Sequence, residues 1–390
     1  MKLAKRMSRL GTETAFEVLV RAKGLEAKGH DVVHLEIGEP DFDTPPNITD
    51  AAIQALKNKW THYGPSAGQP VLREAIAEYI SKTRNLKVDA SNVVVVPGGK
   101  PIIFFPILAL VDEGDEVIYP NPGFPIYESM INFIGGKAVP IALREERDFA
   151  FDVNELISKI NDRTKLIILN SPQNPTGGVL PKEELKAIAD AVRDRDLMIL
   201  SDEIYSRILF EGKAESITQF PGMQEKTIIL DGFSKTYAMT GWRLGYGVMR
   251  TDLATQIAKL QTNSTSCTAS FSQIAAVEAL RGDQSGAEAM VAEFHRRRDF
   301  IVKRLNEIEG LSCRMPKGAF YVFPNIKKTG MTSKEFEERL LNEAFVACLA
   351  GTSFGAFGEG YVRFSYANSL ENLKKAMDRV EHFVTKKVLV

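Results

Sequence analysis

Between about residues 90 and 250 short apolar runs alternate with segments of helical pattern, and this alternation constrains the fold of the 390-residue chain most. The first run, 93–96, consists of four valines, a residue type that favours strands. Nearly continuous apolar strands separated by helices are typical of a mostly parallel sheet covered on both faces. The seven predicted strands are 93–96, 114–119, 137–143, 165–170, 197–201, 227–231 and 245–249.

The pattern changes on either side of this region. Apolar spacing predicts helices at 12–29, 49–58 and 70–83, and beyond about residue 285 at 286–308 and 333–343, with a terminal helix. The later part also carries strand-like runs at 318–323 and 361–366. We therefore predict an α/β protein with a large domain and a smaller α+β domain that the N-terminal arm joins in space. The predicted boundaries are 1–45 for the arm, 46–285 for the large domain and 286–390 for the small domain.

The overall composition limits which partners and which cellular compartment are expected for the protein. The formal net charge of -1 gives no field that would favour nucleic acid or an anionic membrane as a partner. Three scattered cysteines argue against a disulfide framework or a metal site and fit a reducing compartment. No stretch approaches the roughly twenty apolar residues of a membrane span, and no signal-peptide pattern is present. We predict a cytoplasmic protein without a metal.

Candidate functional residues follow the predicted strands. In parallel sheets ligands bind at the carboxyl ends of the strands, and Lys235 and Asp202 each come directly after an apolar run. An amine is a nucleophile only when it is unprotonated. Arg243, eight residues after Lys235, could lower the proton affinity of the Lys235 amine and also bind an anion. A lysine beside an anion anchor suits pyridoxal 5'-phosphate, which needs a Schiff base and a cation for its phosphate. A solvated lysine and an ordinary ion-pairing arginine are the alternative.

The segment from Gly232 to Gly245, Gly-Phe-Ser-Lys-Thr-Tyr-Ala-Met-Thr-Gly-Trp-Arg-Leu-Gly, resembles the cofactor attachment signature of class I pyridoxal phosphate aminotransferases. Further motifs resemble the same family in the same order, so the likeness covers essentially the whole chain. The strongest resemblance is to the prokaryotic aspartate aminotransferase-like branch. It implies the fold-type I architecture, pyridoxal 5'-phosphate as cofactor and a homodimer with shared active sites. The further motifs lie at 98–100, 170–177, 197–205 and 362–365.

The resemblance also implies roles around the cofactor. Lys235 would form the Schiff base and then move the proton between the substrate Cα and the cofactor C4′. Asp202 would pair with the pyridine nitrogen, Tyr205 and Asn174 would bind the phenolic oxygen, and Phe124 would stack on the ring. Tyr63 would reach the phosphate from the partner subunit. Some relatives have a serine where this chain has Gly232, so its phosphate site would have one donor fewer. The residues implied for the phosphate are Gly98, Gly99, Lys100, Ser234 and Arg243.

For the substrate, the resemblance implies that Arg363 binds the α-carboxylate with help from the backbone of Gly38 and from Asn174. The side-chain pocket receives two conflicting indications. Lys100 stands where some bacterial aspartate enzymes bind the distal carboxylate, whereas Glu17 falls near their substrate threonine and would repel an acidic side chain. The expected activity is ping-pong transfer of an amino group from an L-amino acid to a 2-oxo acid, with the donor left open between acidic, neutral and cationic amino acids.

Other functions fit the sequence less well. A β-eliminating lyase on the same fold would share Lys235, Asp202 and Arg363, and is the main alternative. A regulatory module without turnover would need a DNA-binding segment ahead of the sheet, and the arm begins almost at the first residue. A nicotinamide-binding fold would need Gly-x-Gly-x-x-Gly after the first strand, which is absent from the sequence.

Overall fold

The computed structural model describes residues 2–388, and its strands are short and buried. They are β1 (Val33–His34), β2 (Val93–Val96), β3 (Glu116–Asn121), β4 (Lys137–Ala142), β5 (Thr164–Asn170), β6 (Met198–Asp202), β7 (Thr227–Gly232), β8 (Gly245–Val248), β9 (Tyr321–Val322), β10 (Val346–Ala347), β11 (Leu349–Ala350) and β12 (Val362–Ser365).

Helices separate most of these strands. They are α1 (Ala15–Glu26), α2 (Pro46–Lys57), α3 (Pro70–Arg84), α4 (Pro101–Leu110), α5 (Ile126–Ile134), α6 (Val153–Lys159), α7 (Lys182–Val192), α8 (Thr251–Thr265), α9 (Ser270–Arg281), α10 (Ser285–Glu307), α11 (Ser333–Ala344) and α12 (Leu370–Val388).

The central sheet has seven strands in the order β2-β8-β7-β6-β5-β3-β4. Only β8 runs antiparallel to its neighbours β7 and β2, so the sheet is mostly parallel. The seven predicted strands are confirmed, with ends that differ by one or two residues. At the largest difference β3 continues through Pro120 to Asn121. Its pairing with β5 ends at Ile118 and only β4 follows it further, so the missing N–H of Pro120 costs no bond to β5.

Helices cover both faces of this sheet. Successive side chains of a strand point to opposite faces, and β2 shows the consequence. Val94 and Val96 pack with α4, α5 and α8, whereas Val93 and Val95 pack with α2, α3 and α9. Burying each valine contributes about 1.5–3 kcal/mol relative to exposure. A strand buried on both sides must be apolar throughout, which explains the valine run.

The remaining strands lie in two small sheets. β12 pairs antiparallel with β11 and β9, and β1 pairs in parallel with β10. The N-terminal segment thus lies against the C-terminal part of the chain, where α10 and α12 enclose a further core. The proposed domain boundaries at 45/46 and 285/286 stay predictions. Within residues 2–388 no helix is both long and apolar enough to cross a membrane.

The first long helix is shorter than predicted, since α1 begins at Ala15 rather than near residue 12. The preceding segment is held on α5 instead, where Gly11 N donates to Ser129 Oγ over 2.9 Å and Ser129 Oγ donates to Gly11 O over 3.1 Å. Residues 11–14 therefore lie outside the helix, and this changes which acidic side chain reaches the cavity described below.

Candidate active site

A cavity of about 540 Å³ opens at the carboxyl ends of the central strands. Strands β5, β6 and β7 each deliver residues to its wall at or just after their last residue. The structure brings most of the predicted site residues together in one place. Those lining the cavity are Gly38, Gly99, Lys100, Phe124, Asn174, Asp202, Tyr205, Ser234, Lys235, Arg243 and Arg363.

Lys235 lies in the turn after β7, with its amine inside the protein. The Nζ atom donates to the carbonyl of Gly38 over 2.5 Å. Burial lowers the pKa of the Lys235 amine to about 8; the charges of Glu39 and Glu13 act against this shift, and those of Arg363 and Arg243 add to it. Gly38 is required here because a Cβ on it would lie 2.2 Å from Oη of Tyr321. The lysine is thus held in an environment that favours its neutral, nucleophilic form.

Asp202 ends β6 and is buried. Its Oδ2 accepts a hydrogen bond of 2.5 Å from the hydroxyl of Tyr127 on α5. Burial raises the pKa of Asp202 to about 6, although the Tyr127 bond acts in the opposite direction. Tyr127 also lines the cavity and was missed by the sequence reasoning. The available signal was its position in the first turn of α5, three residues after Phe124, whose ring centre lies 5.7 Å from its own.

The turn between β2 and α4 supplies an anion site. Gly98 has a φ of +78°, and a Cβ there would lie 2.1 Å from Nη2 of Arg243, so only glycine lets this turn pack against the guanidinium. The first turn of α4 follows at Pro101, and the positive end of the helix dipole favours negative charge there. Ser234 lies on the same cavity wall. Together they form a cationic pocket suited to a phosphate.

Arg363 lies in β12 and is buried. Its Nη1 donates to Oδ1 of Asn174 over 3.0 Å, and its Nη2 donates to the carbonyl of Glu36. The guanidinium carbon lies 4.4 Å from the ring centre of Tyr321, whose hydroxyl is 2.7 Å from that of Tyr205. Its Nε finds no hydrogen-bond partner within the described chain. A buried cation that lines a cavity and keeps an unused donor suits a carboxylate ligand.

The side-chain end of the cavity differs from the sequence prediction. Glu17 is exposed on α1 and is not among the described residues that line the cavity. Glu13 lines it instead and accepts a hydrogen bond from Nζ of Lys100. The reason is the late start of α1, which turns Glu13 toward the cavity and leaves Glu17 on the outer face. The choice of Glu17 as a pocket residue is therefore corrected to Glu13.

Tyr63 lies outside this cavity in the single chain and is 91% exposed. A second cavity of about 680 Å³ opens beside the first and shares Arg243, Thr240 and Glu39 with it. The predicted contact of Tyr63 with a partner's site is not tested by one chain and stays a prediction.

These residues fit pyridoxal 5'-phosphate. The glycine turn against Arg243 matches its phosphate, the lysine amine matches its aldehyde and the Asp202 carboxyl matches its ring nitrogen. Arg363, with its unused donor, leaves a separate place for the carboxylate of a substrate. Across residues 2–388 no group of three histidine, cysteine, aspartate or glutamate side chains is arranged to hold a metal ion.

Comparisons with known proteins agree with this geometry. The family model described as aminotransferase class I and II matches residues 30–380. An aspartate aminotransferase of Pyrococcus horikoshii is 45% identical over 97% of this chain and 96% of its own length. The aromatic-amino-acid aminotransferase 2 of Thermococcus litoralis is 41% identical over the full length of both. The solved aspartate aminotransferase from Thermus thermophilus with maleate superposes with a TM-score of 0.93 at 37% identity, covering 98% of this chain and 100% of that one.

Proposed function

The chain belongs to the class I and II aminotransferases, and on this basis we propose that it transfers the amino group of an acidic L-amino acid to a 2-oxo acid. Family membership confirms the predicted fold-type I architecture, aminotransferase activity and pyridoxal 5'-phosphate cofactor. The substrate needs a further argument, because relatives of similar identity are named for aspartate and for aromatic amino acids.

The observation that carries the acidic substrate is a pair of cations, Arg363 and Lys100, lining one cavity. An amino dicarboxylic acid has two carboxylates, and each cation can bind one of them. Maleate, with which the Thermus thermophilus enzyme was solved, is likewise a dicarboxylate. Glu13 opposes this preference, because its carboxylate already forms an ion pair with the Lys100 amine. An acidic substrate would have to displace Glu13 from Lys100.

We propose that the cofactor is held by Gly98, Gly99, Ser234 and Arg243 at its phosphate and by Asp202 at its ring nitrogen. When bound, pyridoxal 5'-phosphate supplies an aldehyde for covalent attachment and a ring that draws electrons from the substrate Cα. We further propose that Phe124 stacks on the ring of the cofactor and that Tyr205 and Asn174 bind its phenolic oxygen.

The side chains of this protein have separate roles in the proposed reaction. Lys235, with its lowered pKa of about 8, first provides the attachment point and then takes the proton from the substrate Cα. Arg363 orients donor and acceptor alike, since both carry an α-carboxylate. Tyr127 fixes the Asp202 carboxyl by its hydrogen bond of 2.5 Å. The apolar wall formed by Phe124, Ile103 and Phe354 keeps water away from the reacting carbon.

We also propose a homodimer in the cytoplasm. The exposed Tyr63 and the open second cavity beside Arg243 support a partner subunit at that surface. Unpaired Cys267, Cys313 and Cys348 support a reducing compartment.

The absorbance spectrum of the purified protein tests the function. Amino acids are added one at a time without an acceptor, and the visible band of the bound cofactor is followed. We expect L-aspartate and L-glutamate to remove the band stoichiometrically, and the Lys235→Ala variant to lack this response. Conversion by alanine or phenylalanine alone would contradict the acidic substrate. Release of pyruvate and ammonia without an acceptor would favour a lyase, and absence of a band after adding cofactor would contradict the proposed site.

A further inference from the structure

A buried ion cluster lies behind the active site, and the proposed chemistry does not use it. Its centre is Arg84, the last residue of α3. Arg84 Nε donates to Oε2 of Glu203 over 2.8 Å, and its Nη2 lies 3.2 Å from Oδ2 of Asp231 and 2.9 Å from Oγ of Ser206. Arg84, Glu203 and Asp231 are each only 3% exposed. Buried charges are costly unless they are paired and hydrogen-bonded, so this cluster requires an explanation.

The two carboxylates are fixed by further bonds. Glu203 Oε1 accepts from the hydroxyls of Ser201 over 2.9 Å and Ser216 over 2.6 Å. Asp231 Oδ1 accepts from the backbone N–H of Gly232 over 2.7 Å.

The surroundings of the cluster also define its charge. Its titratable neighbours include the hydroxyls of Tyr79, Tyr237 and Tyr246 and the carboxyl of Asp202. Burial alone would lower the pKa of Arg84, but the charges of Glu203 and Asp231 outweigh it and raise that pKa. Arg84 is therefore a permanent cation between two anchored carboxyl groups, of which burial raises the pKa of Asp231 to about 7 although the charge of Arg84 acts in the opposite direction.

The position of these carboxylates relates the cluster to the site. Glu203 directly follows Asp202, and Asp231 precedes Lys235 by four residues. Because side chains alternate along an extended chain, Asp202 faces the cavity and Glu203 faces Arg84. The backbone N–H of Glu203 also donates to the carbonyl of Leu230 over 2.8 Å, which joins the two strand ends. One guanidinium thus spans the ends of β6 and β7 from behind.

We propose that Arg84 is a positioning residue for the reaction: by binding Glu203 and Asp231 together, it sets the distance and orientation between Asp202 and Lys235. This inference rests on the proposed roles of those two residues. The planar fork of arginine can bind two carboxylates at once in a fixed geometry, whereas a lysine ammonium is a point charge without that geometry. Loss of the fork leaves the two strand ends joined by backbone bonds alone and leaves two buried carboxyl groups without a cation.

The test compares Arg84→Met, Arg84→Lys and Glu203→Gln with the wild-type holoenzyme. Arg298→Met is the matched control, because Arg298 is also a buried arginine with two acidic partners, Glu211 and Asp299. For each variant kcat and KM for the amino donor are measured per bound cofactor, together with the thermal midpoint and the visible circular dichroism of the cofactor. The dichroism reports the orientation of the cofactor independently of turnover.

We expect Arg84→Met to lower kcat by about 10- to 100-fold while KM changes by less than about threefold, since Arg363 is untouched and small displacements of reacting groups are costly. The dichroism should decrease, and Arg84→Lys should recover only part of both. Arg298→Met should lower the thermal midpoint and leave kcat and dichroism at wild-type values.

Two results would overturn the inference. One is a set of Arg84 variants that lose thermal stability but keep wild-type kcat, KM and dichroism, which is the behaviour of a merely structural residue. If the Arg84 variants do not fold, Glu203→Gln decides, because it replaces the charge-assisted bond from Arg84 by a weaker neutral one without changing shape. Wild-type kcat in that variant would be the second contrary result. Inactive Lys235→Ala with unaffected Arg84 variants would leave the proposed function intact and reject this inference alone.

Discussion

The Lys235 amine shows how strongly burial can change the fraction of a lysine that is neutral and therefore nucleophilic. With an ordinary lysine pKa near 10.4, only about 0.04% of the amine would be neutral at pH 7. With the pKa of about 8 that burial produces, the neutral share is about 10%. This gain of more than two orders of magnitude comes mainly from the burial of the lysine after β7, since the charges of the nearby arginines and glutamates oppose each other.

Glu13 and Glu17 provide a matched pair for testing the side-chain pocket. We expect Glu13→Gln to raise kcat/KM for L-aspartate by about three- to tenfold, because the loss of an ion pair worth about 1 kcal/mol frees Lys100. Glu17→Gln, one turn further along and exposed, should change it by less than about twofold. Steady-state kinetics with aspartate and alanine measure both. Equal effects of the two variants, or a gain with alanine alone, would contradict the pocket role of Glu13.

Among the secondary-structure elements, β1 connects a titratable cluster to the substrate arginine. His34 in β1 lies 2.7 Å from the carboxylate of buried Glu36 and 3.0 Å from that of Glu26 at the end of α1. The bond to Glu36, despite partial burial, raises the pKa of His34, and Glu26 adds to the effect. The carbonyl of Glu36 accepts from Arg363, so this cluster also stiffens the backbone behind the substrate site.

This arrangement predicts a pH dependence of stability. Because the folded protein holds the His34 proton more tightly than the unfolded chain, the stabilisation is complete below the unfolded pKa of about 6.5 and is lost as pH rises through the raised folded value. Between pH 5.5 and 8.5 the wild type should therefore lose about 1–2 °C more in Tm than His34→Gln. Thermal unfolding monitored by circular dichroism measures it. Exposed His382, replaced by Gln, is the control, and an equal loss in the wild type and His34→Gln would exclude this role.

The elements also indicate what the sequence could and could not predict. The central strands were predictable because strands buried on both faces must be apolar, as in the valine run of β2. Asp202 and Lys235 were predictable because parallel strands bring their carboxyl ends to one edge. Glu13 was not, since the start of α1 depends on long-range bonds between Gly11 and Ser129. Periodicity carries no information on such contacts.

The cluster of Arg84 was equally hidden from the sequence. Arg84 in α3 precedes Glu203 and Asp231, at the ends of β6 and β7, by 119 and 147 residues along the chain. In the sequence none of the three differs from an ordinary polar residue. Only the folded sheet shows that Glu203, next to Asp202, and Asp231, four residues before Lys235, contact the same guanidinium.

At the scale of the whole molecule, the proposed homodimer makes a prediction that one chain cannot satisfy alone. If Tyr63 completes the phosphate site of the partner subunit, the Tyr63→Ala and Lys235→Ala variants should each have low activity, the second the lowest. Unfolding and refolding an equal mixture should restore activity to about a quarter of the wild-type value, because half of randomly paired dimers are hybrids with one intact site. A mixture no more active than the mean of its components would show that Tyr63 serves its own chain. The control mixes Tyr63→Ala with wild type. Each hybrid dimer then has one intact and one incomplete site, so the activity should equal the mean of the two components.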